Sequence, residues 1–252
     1  MTQLRVSHLS KEFGGIHAIE DLTFNINVGT IHSIIGPNGA GKTTLLNLLT
    51  GVYRPTHGRI LLYGERVEGM PSHALAVRGM ARTFQNLQIF FNMTALENVM
   101  VGRHRHLDRR LWHTFLRLPS LIRAEAACRD YCAALMEFVG CGQYIGADAS
   151  SMPYGALKRL EIARALASGP RLLLLDEPAA GLNSRETAEI DDVIRKTAAE
   201  GVTVVLVEHD MKMVMGISDH VLVLNYGRKL AEGTPTEVCA DKEVVAAYLG
   251  AD

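Results

Sequence analysis

One stretch of the chain has residue types and spacing suited to holding a chain of phosphates. Gly36-Pro37-Asn38-Gly39-Ala40-Gly41-Lys42-Thr43 matches the pattern G-x-x-x-x-G-K-[ST] in full. The glycines let backbone N–H groups turn inward around an anion. Lys42 can reach the β- and γ-phosphates of a nucleotide, and the Thr43 hydroxyl can ligate Mg2+. Such a nucleotide site needs a second half, a strand that ends in a carboxylate. Leu172-Leu173-Leu174-Leu175-Asp176-Glu177 supplies it. Asp176 is placed to hold Mg2+ directly or through water, and Glu177, one residue further, to polarise an attacking water.

These residues need elements to position them. Ile31-His32-Ser33-Ile34-Ile35 reads as a strand running straight into the glycine loop, and Leu45, Leu46, Leu48 and Leu49 mark the helix that follows, ended by Gly51 and Pro55. Before them the pattern is antiparallel β: Leu4, Val6 and His8 alternate with Arg5 and Ser7, and a second strand region spans about 16–28 with Gly29 as a turn. Residues from about 87 to 168 are mostly helix-forming. After Pro170 the α/β alternation returns, with strands at 172–175, 202–207 and 221–224. Ser184 is the expected cap of a helix with an Ile190, Val193, Ile194 stripe closed by Gly201, and Thr234-Pro235-Thr236-Glu237 reads as a capping box. The expected fold is α/β: residues 1–86 and 169–252 as a nucleotide-binding P-loop core with an N-terminal antiparallel β region, and residues 87–168 as a helical insertion.

Taken in order, these motifs resemble the ABC transporter ATPase family over essentially the whole chain. The resemblance implies further roles. Gln85, in Thr83-Phe84-Gln85, is similar to the glutamine loop that senses the γ-phosphate and Mg2+. Tyr154-Gly155 and the run Arg159 to Leu166 resemble the signature segment and its helix. Asp176-Glu177-Pro178 resembles the Walker B ending, and Gly181-Leu182-Asn183 the loop that contacts a partner ATPase, where most members carry Asp at the position of Asn183. His209, in Glu208-His209-Asp210, resembles the switch histidine at the γ-phosphate. Phe13 falls where the family stacks an aromatic ring on adenine; a place in the core is the other reading. The implied nucleotide-binding set is Phe13, Gly36, Pro37, Asn38, Gly39, Ala40, Gly41, Lys42, Thr43 and Thr44, with Thr43, Gln85 and Asp176 toward Mg2+ and Glu177, His209 and Gln85 in catalysis.

Within the family, Phe13-Gly14-Gly15, Ala81-Arg82-Thr83-Phe84-Gln85-Asn86 and Ala179-Ala180-Gly181-Leu182-Asn183 resemble LivG-type subunits of branched-chain amino acid importers. The implied partners are a LivF-like second ATPase subunit as heterodimer, two membrane permease subunits and, indirectly, a solute-binding protein, at the cytoplasmic face of the membrane. Urea and amide importers use similar subunits, and non-transport ABC ATPases are a further alternative. The signature departs from the usual Leu-Ser-Gly-Gly-Gln: Met152-Pro153-Tyr154-Gly155-Ala156 stands in its place, followed by Leu157. Pro153 lacks the serine hydroxyl that would bond the γ-phosphate of the partner's ATP. Gly155 N–H and the N-terminus of the helix remain as anion donors.

The bulk properties bound the rest. The chain's 252 residues are enough for one α/β domain with an insertion. A net charge of −1 gives no reason to expect nucleic acid. No apolar run approaches the roughly 20 residues of a membrane helix, and the first residues do not suggest a signal peptide. Cys128, Cys132, Cys141 and Cys239 form no zinc pattern and are expected as packed, reduced thiols. Between Gly102 and Arg123, Arg103, Arg105, Arg109, Arg110, Arg117 and Arg123 are interleaved with Trp112, Phe115, Leu116 and Leu118. A solvated helical face is the favoured reading, with membrane-surface or permease contact and nucleic acid as alternatives.

Overall fold

Runs of β-branched and leucine residues bounded by glycine turns favour strands buried on both faces, which is how parallel sheets are built. The computed structural model of the chain, which describes residues 2–104 and 119–249, contains such a sheet. In chain order the strands are β1 (Thr2–Phe13), β2 (Ile16–Asn27), β3 (Ile31–Ile35), β4 (His57–Leu62), β5 (Glu65–Arg66), β6 (Met80–Arg82), β7 (Leu172–Asp176), β8 (Thr203–Val207), β9 (His220–Asn225) and β10 (Arg228–Gly233). One sheet has the order β2-β1-β4-β5 and is antiparallel; the other has the order β10-β9-β3-β8-β7-β6. In the second sheet β9, β3, β8, β7 and β6 run parallel, and β10 returns antiparallel at the edge.

Chain contacts divide the molecule into two units: Met1–Arg82 with Arg171–Pro178 and Ile194–Asp252, and Thr83–Pro170 with Ala179–Val193. In the first unit, helix α1 (Lys42–Leu49) buries Leu45, Leu46, Leu48 and Leu49 in a cluster with Leu4, Val6 and Phe24 of the antiparallel sheet and Ile34, Leu172, Leu174 and Leu222 of the parallel one. The pleat sends neighbouring residues to opposite faces, so Ile35, Val221 and Val223 form a second cluster with Val214, Val238 and Val244. This unit also holds α2 (Ser72–Val77). The second unit holds α3 (Ala95–Gly102), α4 (Pro119–Phe138) and α5 (Tyr154–Ala167). A capping box of Thr94 and Glu97 opens α3. Helix α6 (Ser184–Ala199) buries Ile190, Val193 and Ile194. The last helices are α7 (Met211–Ile217), α8 (Pro235–Ala240) and α9 (Lys242–Leu249), and α8 is opened by the Thr234–Glu237 capping box.

Three local expectations need correction. His8 does not continue the inward set of Leu4 and Val6. The β1–β2 register shifts between Val6 and Leu9, His8 takes φ 49°, and its side chain is exposed against Asp21 while Leu9 turns inward. Helix α6 is capped by Asn183, not Ser184: Asn183 Oδ1 accepts from the N–H groups of Arg185 and Glu186, and Glu186 Oε2 accepts from Asn183 N–H. Of the cysteines, Cys128, Cys132 and Cys141 are buried, but Cys239 is exposed. Burial pushes the thiols of Cys132 and Cys141 up, to about 12 and about 11.

Most of the basic stretch, including Arg105, Arg109, Arg110, Trp112, Phe115 and Arg117, lies outside the described residues. Within them, Arg103 places its guanidinium 3.9 Å from the centre of the Tyr131 ring. No helix among the described residues is long and apolar enough to cross a membrane.

Candidate nucleotide site

The site begins at the C-terminal end of β3, in the middle of the parallel sheet. This is the edge at which open α/β sheets hold ligands. Gly36 and Gly41 have φ 156° and 101°, and each has backbone where a side chain would go. A Cβ on Gly36 would lie 2.2 Å from Leu224 O, and one on Gly41 2.7 Å from Ala18 O. With Gly39 at φ 80°, the segment forms a tight loop that only glycine permits. Lys42 folds back over it, donating from Nζ to the carbonyls of Gly36 (2.6 Å) and Pro37 (3.1 Å). Thr43 is exposed and Thr44 half-buried in the first turn of α1.

Strand β7 brings the acids to the same place. Asp176 is its last residue, in register with Val207 of β8, and it is buried. Glu177 has φ 49°, a left-handed backbone unfavourable for a side-chain-bearing residue, and its N–H donates to Val207 O (2.9 Å). Partial burial lowers the pKa of Lys42, and the charges of Glu177 and Asp176 oppose that shift. The lysine and both carboxylates therefore share one electrostatic neighbourhood. Two residues beyond Val207 stands His209, with its side chain exposed and its Nδ1 3.7 Å from Glu208 Oε2, whose own side chain is buried. Phe13 is 42% exposed at the end of β1, edge-on to Tyr53 with ring centres 5.3 Å apart.

The donor set suits a magnesium nucleotide. Mg2+ takes one or two protein oxygens together with phosphates and waters, not a full protein cage. Among the described residues no group of three or more His, Cys, Asp and Glu could hold a metal by itself. Thr43 of the loop helix and Asp176 of β7 are the residues whose oxygens would serve such an ion.

The remaining predicted residues belong to the second unit. Gln85 is exposed, and its backbone carbonyl lies 3.4 Å from Lys158 Nζ. Pro153 stands at the N-cap of α5 and provides no side-chain cap. Tyr154 is 46% exposed and its hydroxyl lies 3.5 Å from Ala180 O. The Glu186 side chain packs on Gly155 so closely that a Cβ there would lie 2.5 Å from Oε1. Ala156 and Leu157 are buried. Small or apolar residues at those two positions thus fit an interior place.

Two polar residues have structural roles that the sequence did not reveal. Asn183 proves to be the cap of α6. Arg82, at the end of β6, donates to Asp176 Oδ2 (2.9 Å) and to Asn47 Oδ1 (2.7 Å) and Thr50 Oγ1 (3.1 Å) of α1 and its cap. The available signal was a lone arginine ending a short β segment before Thr83-Phe84-Gln85.

Comparison with known proteins agrees with this geometry. The profile of the family described as "ABC transporter" matches residues 19–180, and one described as "Branched-chain amino acid ATP-binding cassette transporter" matches residues 228–252. The chain is 46% identical over 248 residues to the high-affinity branched-chain amino acid transport ATP-binding protein BraF of Pseudomonas aeruginosa, covering 98% of this chain and 97% of that one. It is 44% identical, with the same coverage, to LivG of Escherichia coli K12, which bears the same description. Among solved structures, a nucleotide-free ATP-binding cassette from an ABC transporter superposes with TM-score 0.86 at 29% identity, covering both chains fully. An ABC-transporter cassette in its ADP conformation gives 0.85 at 28%, with the same coverage. Phosphate loop, strand-end acids, fold and full-length similarity agree: the chain belongs to the ABC transporter family, as one of its ATP-binding cassettes.

Proposed function

We propose that this chain is the ATP-hydrolysing subunit of an importer for branched-chain amino acids, driving a separate membrane permease from the cytoplasmic face. The observation that carries the reading is the convergence of Lys42, Asp176 and Glu177 at the end of the parallel sheet, with His209 beyond the adjoining strand. Lys42 and the loop N–H groups neutralise the β- and γ-phosphates. Thr43 and Asp176 would hold Mg2+, which would supply charge neutralisation at the phosphates when bound. Glu177 accepts the proton of the attacking water, His209 contacts the γ-phosphate, and Phe13 stacks on adenine. The branched-chain solute is supported by the C-terminal match at residues 228–252 and by the names of the similar proteins.

In this reading the chain pairs with a LivF-like ATPase, and the pair serves two permease subunits fed by a solute-binding protein. Each ATP would lie between one chain's phosphate loop and the other's signature. Pro153 offers the partner's ATP no hydroxyl, so Tyr154, the Gly155 N–H and the α5 N-terminus serve it. The site built on this chain's own Lys42 and Glu177 then carries most of the turnover.

The test is Lys42→Ala in the assembled transporter, read as phosphate release and as uptake of labelled leucine. Both fall to background, since the N–H cradle alone does not balance the phosphate charge. ATPase activity near that of the parent would overturn the assignment; ATP turnover stimulated by a different solute and not by leucine would overturn the solute class alone.

A further inference from the structure

The Arg82–Asp176 pair is almost fully removed from water, with side chains 7% and 6% exposed. A buried pair of this kind contributes little net stability and is weak grounds for a purely stabilising role. Its geometry points elsewhere. Arg82 is the last residue of β6, in parallel register with Leu174 of β7, so its side chain is launched beside the strand that carries Asp176. One arm of the fork, Nη2, engages Asp176 Oδ2 at 2.9 Å. The other, Nη1, is shared between Asn47 Oδ1 and Thr50 Oγ1. Thr50 in turn donates to Leu46 O, so the anchor is tied to the backbone of α1. A planar guanidinium held at three points fixes the carboxylate in rotation as well as in position, which an ammonium on a flexible stem does not do. The lysine of the phosphate loop lies in the field of the same carboxylate.

We propose that Arg82 is a positioning residue for the magnesium nucleotide: by committing Oδ2 of Asp176 and bracing it against α1, it sets the carboxylate as a one-oxygen partner for the cation. The inference rests on the ATPase reading. It links the helix that begins at the phosphate loop to the strand that ends at the metal-side acid through one side chain. A carboxylate braced in this way need not be ordered when Mg2+ arrives, and turning both oxygens to the cation would set Mg2+ in competition with Arg82 for Oδ2. Arg82 itself touches neither nucleotide nor metal in this account.

The experiment measures the affinity of the full chain for a fluorescent ATP analogue, in EDTA and in Mg2+, and takes the ratio as the tightening due to magnesium. Circular dichroism and thermal melting check that each variant is folded. For Arg82→Lys, affinity in EDTA stays within about twofold of the parent, while the magnesium tightening falls about tenfold, the scale of one lost bond to a charged group. Asn47→Ala, which keeps the ion pair but removes one brace, shifts the same ratio by about threefold, and it decides the matter if Arg82→Lys does not fold. An unchanged ratio in folded Arg82→Lys, or equal losses in EDTA and in Mg2+, would overturn the proposal and leave Arg82 as a tie between α1 and β7. A parent chain that binds the analogue in neither condition would overturn the ATPase reading itself, and this inference with it.

Discussion

At the scale of single residues, the site is marked by groups held where their chemistry is uncomfortable. Glu177 sits at φ 49° because the next step of the chain must leave the sheet while its N–H still bonds to Val207. Strain of this kind persists where the surrounding structure imposes it. Lys42 is partly stripped of water and draws on Asp176 and Glu177 to offset that loss. His32 makes a contrasting case inside the core. It is 2% exposed, stacked on His220 with ring centres 6.1 Å apart, and its Nε2 is buried with no hydrogen-bond partner among the described residues. Burial first, and then the neighbouring His220, lower its pKa from the ordinary 6.5 to about 4. The folded chain therefore keeps His32 neutral where the unfolded chain protonates it. Stability is unaffected above about pH 6.5, falls as pH drops from there toward 4, and levels off below that, for a total of about 3 kcal/mol. His32→Leu removes this term, so in urea unfolding the parent should lose about 3 kcal/mol relative to the variant as pH is lowered from 7 to 4. Parallel profiles across that window would mean that His32 is not held neutral.

At the scale of elements, legibility followed the strength of the local signal. Helix α1 and strands β3 and β7 were readable because glycine turns and unbroken apolar runs bracket them. The Thr234–Glu237 box was readable because its spacing alone defines it. The start of α6 was misread by one residue because Asn183 and Ser184 are both good caps, and only the bonds to Arg185 and Glu186 separate them. His8 was misplaced because a bulge leaves no mark in an alternating pattern. Arg82 could be seen but not understood, since its partners Asn47, Thr50 and Asp176 meet only in the folded sheet. The cap gives a test at this scale. Asn183→Ala lowers the unfolding free energy by about 1 kcal/mol, whereas Asn183→Asp is neutral or slightly stabilising, because the carboxylate still caps and also favours the N-terminus of the helix. Thermal melting of the two variants decides it; equal melting temperatures for Asn183→Ala and the parent would remove the cap from the account.

At the scale of the whole molecule, the chain is an ATP-binding cassette with a complete phosphate-loop motif and strand-end acids, and the segment proposed as its signature, Met152-Pro153-Tyr154-Gly155-Ala156, has no serine. The fold was legible as a class because a phosphate loop, two acids after a strand and a histidine after the next strand leave few alternatives. The solute was legible only through resemblance, since nothing in Lys42, Asp176 or Glu177 distinguishes one cargo from another. The central claim is that this chain hydrolyses ATP with Glu177 as the base. The most direct measurement is phosphate release by the assembled transporter carrying Glu177→Gln in this chain alone, alongside its binding of MgATP. Binding should persist, and turnover should fall by at least about 100-fold, the scale of a lost general base. Turnover near that of the parent, with the variant folded and binding MgATP, would contradict the account.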